Sequence, residues 1–197
     1  MKLPQVYLAR HGETAWSLSG QHTGRTDISL TAKGEDNARM LGQRLQGLSF
    51  AKVYTSPLVR ARRTCELAGF GSVAEVDPNL AEWNYGDYEG KKTADIRKAR
   101  PDWQLFRDGC PGGETLAEVG ARCDQVIARA RAAAADVLLF AHGHVLRVLA
   151  ARWVGLPVAD GRRFLLGTAA LCILGYEHSL EEPVIRLWND TSHVRAM

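Results

Sequence analysis

The sequence predicts an α/β protein, a three-layer α/β/α sandwich around a mostly parallel, mixed sheet. Short wholly apolar runs, Val6-Tyr7-Leu8-Ala9 and Val137-Leu138-Leu139-Phe140-Ala141, read as strands buried on both faces. Such runs alternate with stretches whose apolar residues recur at spacings of three and four, the signature of helices layered on a sheet. Both runs end in a His-Gly pair, His11-Gly12 and His142-Gly143. If the two strands are parallel neighbours, their carboxyl ends open on the same side, where α/β sheets bind ligands.

Along the chain, the first strand ends near Ala9, and a polar, glycine-containing segment runs from Glu13 to Ser29 without clear periodicity. A helix starts near Thr31, with Ala38, Leu41, Leu45 and Leu48 as its apolar stripe. Lys52 to Thr55 reads as a strand, and Ser56-Pro57 as the N-cap and first turn of the next helix. Val73 to Val76 reads as a further short strand. The aromatic-rich, irregular stretch 77–113 is expected to cap the pocket as an insertion within a single domain spanning 1–197. Thr115 and Glu118 form a capping box ahead of the stripe Leu116, Val119, Cys123, Val126 and Ala130. After the His142 strand comes a helix through Val148 and Leu149. The runs Ala169 to Tyr176 and Val184 to Trp188 close the sheet, and an antiparallel member among them would make it mixed.

Composition narrows the function classes. At 197 residues the chain suits one core, and a net charge of +3 is too small to favour nucleic acid or an anionic membrane. No apolar stretch is long enough to cross a bilayer and the start has no secretory pattern, so a cytoplasmic location is expected. Cys65, Cys110, Cys123 and Cys172 show no CxxC spacing, which argues against zinc; of the four, Cys110 is expected to be accessible. Neither metal nor cofactor is expected, and the chain is read as a monomer or homodimer.

The sharpest local signal is Arg10-His11-Gly12-Glu13-Thr14. An imidazole whose other nitrogen is held by an acceptor is a competent nucleophile near neutral pH. Glycine lets backbone approach an oxyanion, and arginine offers a planar fork of donors to phosphate. If Ser56 caps the helix, Arg60 lies one turn in, near the end that favours anions; Arg62 points about 200° around from it at 3.6 residues per turn, so both cannot face the pocket equally, and Arg62 and Arg63 are read as a solvated face. His144 and Arg147 share a helix face and are read either as contacts to a second phosphate or sugar, or as capping and surface charge. His22 is placed at the rim, His178 and His193 on the surface, and Trp103, Trp153 and Trp188 in the core.

Five ordered motifs resemble the histidine phosphatase superfamily, which includes phosphoglycerate mutases. They are RHGET (10–14), QHTGRTDISLTAKG (21–34), SPLVRARRT (56–64), LAEWNYGDYEG (80–90) and AHG (141–143). The resemblance implies a phosphoglycerate mutase-like fold with His11 becoming phosphorylated and Arg10, Arg60 and His142 gripping the phosphoryl group. It also implies Glu82 as proton donor to the leaving oxygen, with burial beside Trp83 or Tyr85 favouring its neutral form. Ser17, Thr23, Gly24, Tyr85, Gly143, His144 and Arg147 are the expected substrate contacts, Thr23 and Gly24 offering hydroxyl and backbone donors. Serine at position 17 replaces the asparagine common in the family.

The wording of WSLSGQHTGRTDISLT, FRDGCPGGET and FAHGHVLRVLAARWVGL is most similar to the branch of sugar phosphatases resembling sedoheptulose-1,7-bisphosphatase. The short segment after the glutamate motif lacks an Arg-Arg pair, which favours a hydrolase over a mutase. The resemblance therefore implies a metal-independent phosphomonoesterase acting on a small phosphorylated sugar or sugar bisphosphate. The alternatives are mutase-type phosphoryl transfer, a phosphoprotein phosphatase, and a non-catalytic phosphate-binding protein.

Overall fold

The computed structural model describes residues 3–194, and the extreme ends of the expected 1–197 domain lie outside it. Its strands are β1 (Val6–Arg10), β2 (Lys52–Thr55), β3 (Ala74–Val76), β4 (Val137–Ala141), β5 (Leu171–Tyr176) and β6 (Pro183–Asp190). They form one mixed sheet in the order β3-β2-β4-β1-β5-β6. Strands β1 to β4 pair in parallel, whereas β5 runs antiparallel to both β1 and β6.

Alternation along each strand decides which layer a side chain joins. Val6, Leu8, Val137, Leu139 and Leu174 fall on one face, with Tyr7, Ala9, Leu138, Phe140 and Leu171 on the other. The first face is covered by α6 (Leu116–Ala132) and α7 (Gly143–Trp153), through Val119, Cys123, Val145 and Trp153. The second is covered by α2 (Ala32–Arg44) and α3 (Val59–Leu67), through Leu41 and Cys65. Burial on both sides is why β1 and β4 read as continuous apolar runs.

Local chemistry sets the element ends. Thr31 caps α2 by accepting from Gly34 N, and Thr115 with Glu118 forms the expected capping box of α6. Leu45 ends α2, so Leu48 lies beyond the helix and is exposed. The cap of α3 differs from expectation: it is Leu58, without a side-chain bond, and the Ser56 hydroxyl accepts from Leu58 N at 3.3 Å, ahead of the helix, and from His142 Nε2 at 2.7 Å. The segment 13–29 contains a short helix, α1 (Ala15–Ser19), and 77–113 contains α4 (Thr93–Ala99) and α5 (Leu105–Asp108). Cys110 is buried rather than accessible, because its loop folds inward: Trp103 Nε1 donates to Gly109 O, and Asp87 N to Pro111 O. His193 is half-buried, bonded to Ala169 O, and Trp188 is only partly buried at the sheet edge.

The loop leaving β1 is pressed against the start of α2. A Cβ on Gly12 would lie 2.3 Å from Gly34 O, and one on Gly34 would lie 2.1 Å from Glu13 O. Two backbones touch where any side chain would force them apart. Gly34→Ala is therefore expected to lower unfolding free energy by about 1–3 kcal/mol, the usual cost of overpacking. Urea denaturation measures it, and an unchanged midpoint would mean the loop shifts freely.

Candidate active site

Adjacent strand ends assemble the site. Arg10 of β1 stands in register with Ala141 of β4, and His11 N donates to Ala141 O at 3.0 Å. The two histidines that follow these strands have ring centroids 5.2 Å apart. Ser56, next along β2, bonds its backbone to Phe140 O and so joins the row.

Hydrogen bonding decides the tautomers. His11 Nδ1 lies 2.7 Å from Gly12 O, a group that can only accept, so Nδ1 carries the proton and Nε2 keeps its lone pair. Burial and the charges of Arg10 and Arg60 hold the His11 pKa well below its ordinary value, which keeps that lone pair available. His142 has the opposite arrangement. Its Nδ1 accepts from Arg60 Nε at 3.1 Å, so Nε2 bears the proton and donates to Ser56 Oγ at 2.7 Å. Burial, with Arg60 and His11 nearby, pushes the His142 pKa well down as well.

Arg60 is fully buried at the start of α3. Besides His142, its guanidinium donates to the carbonyls of Thr26, Thr23 and Gly24, each at 3.0 Å, leaving one Nη1 proton uncommitted. Arg60 and His142 thus stand beside His11 but do not form the wall of the adjoining cavity. Arg62 is exposed, and Arg63 pairs with Glu35 and Glu66 at the surface, as their helical phase implied.

That cavity measures about 250 Å³ and is lined by Arg10, His11, Ser17, Thr23, Glu82 and Tyr85 among others. Gly143, His144 and Arg147 of α7 form part of its wall, as do His22 and Trp16. Arg10 spans its edge: Nη1 donates to Leu166 O, while Nε is buried without a partner. A Cβ on Gly143 would approach this guanidinium to 3.3 Å, so glycine there lets Arg10 lie flat against α7. The Ser17 hydroxyl is spent in the α1 capping box, accepting from Thr14 N and donating to Thr14 O. The Tyr85 hydroxyl lies 2.5 Å from His144 Nδ1, and burial drives the His144 pKa well down.

Glu82 is buried as expected, but its carboxylate also has an anchoring role absent from the sequence reading. Oε1 accepts from Trp83 N and Val145 N, and Oε2 from His144 N. Two of these donors belong to the first turn of α7, whose N-cap His142 provides no side-chain bond. Glu82 therefore caps the helix from outside, at the end that attracts anions.

Gly24 corrects an expectation. It does not line the cavity, and its N–H, expected to meet phosphate, donates to Glu89 Oε1 at 2.8 Å; Thr26 N adds a second bond to the same oxygen. The glycine is required for space: a Cβ would meet Trp83 O at 2.5 Å. The peptide between Thr23 and Gly24 thus carries Glu89 on its N–H and Arg60 on its C=O. This carboxylate–peptide–guanidinium chain polarises in one sense, each bond strengthening the next. Glu89 was not singled out from sequence, and its place in the Glu-Gly end of the 80–90 motif was the available signal.

The cavity offers a cation one carboxylate, Glu82, already committed to three N–H groups. Among the described residues, the group of three metal-type ligands, Glu177, His178 and Glu182, is exposed in and beside the β5–β6 connection, outside this cavity. No helix among the described residues is long and apolar enough to cross a membrane.

Residues 6–191 match the family model described as histidine phosphatase superfamily (branch 1). The acid phosphatase of Mycobacterium tuberculosis is 44% identical over 182 residues, covering 90% of this chain and 89% of that protein. Sedoheptulose 1,7-bisphosphatase of Saccharomyces cerevisiae is 33% identical, covering 93% and 92% respectively. The solved structure of open reading frame Rv3214 from Mycobacterium tuberculosis superposes with a TM-score of 0.91 at 42% identity, covering 95% of this chain and 98% of that one.

Two measurements test this geometry. Glu89→Ala strands two N–H groups and is expected to cost about 1–3 kcal/mol of stability, with Glu89→Gln recovering part of it through one retained carbonyl. Equal unfolding midpoints for native and Ala proteins would remove Glu89 from the chain of bonds. Stability should also fall as pH drops from 7.5 to 5.5. Five histidines (His11, His22, His142, His144, His193) have folded pKa values below 6.5, and only exposed His178 is raised. Below about 6.5 the unfolded chain takes up protons that the native state refuses, with each strongly shifted histidine contributing up to about 1.4 kcal/mol per pH unit. A urea midpoint constant across that interval would contradict the buried neutral assignments.

Proposed function

Because the chain belongs to the histidine phosphatase superfamily and is a phosphatase, we propose that it hydrolyses monoesters of small phosphorylated sugars through a phosphohistidine on His11. The observation that carries this reading is the cavity shared by His11, Arg10 and Glu82, with the His11 tautomer fixed by Gly12 O. In the first step His11 Nε2 attacks phosphorus as the ester P–O bond breaks, and Glu82 passes a proton to the departing oxygen. In the second, water attacks phosphorus, the P–N bond breaks back to His11, and Glu82 takes a proton from the water. Phosphoryl transfer spreads negative charge over the equatorial oxygens, so catalysis consists of positioning and cationic stabilisation.

Arg10, whose Nε has no partner among the described residues, supplies that charge directly, and Arg60, with one Nη1 proton unused among them, supplies it from beside His11. His142 fixes Arg60 beside the nucleophile and adds a phosphate contact when its ring exchanges Ser56 for the ligand. The chain acts as one domain, with 77–113 contributing Glu82, Tyr85 and Thr93 to the cavity. A sugar phosphate is favoured by the yeast bisphosphatase likeness over most of both chains.

His11→Ala should abolish turnover, and acid-labile phosphate should appear on the native protein but not on this variant during a quench with labelled substrate. Normal hydrolysis by the variant would overturn the mechanism. Glu82→Gln should lose about 10²–10⁴-fold in kcat/KM, which reports phosphorylation of His11, with alkyl phosphates, the range for general acid catalysis, but far less in kcat/KM with p-nitrophenyl phosphate, whose leaving group needs no proton. Equal losses on both would reassign the acid. Full activity is expected in excess chelator. Inorganic phosphate, rather than an isomeric ester, should be the product, which separates hydrolysis from mutase transfer.

A further inference from the structure

The segment between the turn Val158–Arg163 and β5 has no helix or strand of its own, yet it meets the site twice. Leu166 O accepts from Arg10 Nη1, and Ala169 N donates to His11 O at 2.9 Å. The Leu166 contact is the one hydrogen bond of the Arg10 guanidinium among the described residues, since Nε is buried without a partner. The direction of this fork therefore depends on how the Leu166 carbonyl is held.

Three side chains from 188–193 grip the same segment. Trp188 Nε1 donates to Leu165 O, Asn189 Oδ1 accepts from Gly167 N at 2.7 Å, and His193 Nε2 donates to Ala169 O at 2.9 Å. The middle contact bears on Arg10 directly, because the Leu166 C=O and the Gly167 N–H belong to one planar peptide. Arg10 holds one side of that plane and Asn189 the other. A backbone N–H can only donate, so the amide oxygen of Asn189 is the atom that faces it. Arg60 is held in the same way, through the peptide between Thr23 and Gly24 with Glu89 on its far side. Each guanidinium beside His11 is thus steered by a side-chain oxygen that does not touch it.

The backbone at Asn189 is shaped for this contact. Neighbouring residues of a strand point to opposite faces, but Trp188 and Asn189 reach the same segment. They do so because the β5–β6 register shifts between Leu171 and Ile173, and Asn189 takes a φ of 57°. Such a φ is uncommon outside glycine, and asparagine is among the residues that tolerate it. Irregularities of this kind re-aim a side chain. Ala169, bonded to both His11 and His193, has a φ of 55°. Of the three non-glycine residues with positive φ among the described residues, two therefore lie on this path to the site.

Resting on the reading of His11 as nucleophile, we propose that Asn189 is a positioning residue for phosphoryl transfer. It fixes the Leu166–Gly167 peptide, which in turn aims Arg10 at the oxygens of the transferring group. Asn189 does not line the cavity and acts only through that peptide.

The test is a double-mutant cycle between Asn189→Gly and Arg10→Ala, read as kcat/KM for p-nitrophenyl phosphate. Glycine accepts the φ of 57°, so it removes the amide without adding backbone strain, and urea unfolding checks that each variant is folded. With Arg10 present, Asn189→Gly should lower kcat/KM about tenfold or more, the scale on which a misplaced group costs rate. Inhibition by inorganic phosphate should weaken in parallel. In the Arg10→Ala protein the same substitution should change kcat/KM less than about twofold, because the group it aims is gone. Asn189→Asp keeps an acceptor oxygen and should recover most of the loss. An equal loss with and without Arg10 would make Asn189 a general structural residue and overturn the proposal, as would an effect below twofold when Arg10 is present. An Arg10→Ala protein as active as the native one, or a native protein inactive on p-nitrophenyl phosphate, would instead overturn the reading of the site beneath it.

Discussion

The parallel pairing of β1 with β4 is the constraint on which the site depends. Its last rung, His11 N–H to Ala141 C=O, places two histidines from opposite ends of the chain side by side. Slipping that register by one residue would turn every buried side chain of β1 to the other face, exchanging Tyr7 and Ala9 for Val6 and Leu8 against the wrong helices. The cost of mispacking two dense layers therefore protects the spacing of two rings. Stability and chemistry share one register.

A second consequence concerns buried charge. Arg60 is wholly enclosed, and an isolated guanidinium there would be costly. It is stabilised by three carbonyls from the 23–26 loop and one imidazole nitrogen rather than by direct contact with a carboxylate. Anionic support comes without contact, from Glu82 and Asp27 at a distance and from Glu89 through a peptide bond. Neutral acceptors leave the arginine its full positive charge, whereas a contacting carboxylate would cancel it.

Much of this was legible in the sequence because its causes are local. Strands buried on both faces appear as unbroken apolar runs, which is why β4 matches its expected bounds and β1 ends one residue past Ala9. The caps at Thr31 and Thr115 were legible because partner and cap lie three residues apart. The failures involve partners distant in sequence. Ser56-Pro57 has the composition of a helix start, but the Ser56 hydroxyl holds Leu58 N ahead of the helix and a histidine 86 positions away. The Gly24 N–H was assigned to phosphate because Glu89, 65 residues on, leaves no trace in the loop's own composition. Cys110 looked accessible because proline and glycines mark a loop but do not say whether it folds inward. Helical phase correctly separated Arg60 from Arg62, since both sit on one element whose period is known.

The proposed acid role of Glu82 cannot be independent of its structural one. The carboxylate proposed to exchange a proton with the substrate also closes the first turn of α7, bonding His144 N and Val145 N. A helix N-terminus attracts an anion, so the Glu82 carboxylate and the order of that turn support each other. That turn carries His144 and leads to Arg147, which form the partition between the cavity and a second chamber beside Trp103. The wall shared by the two chambers is thus tethered, through the first turn of α7, to Glu82 at the floor of the site.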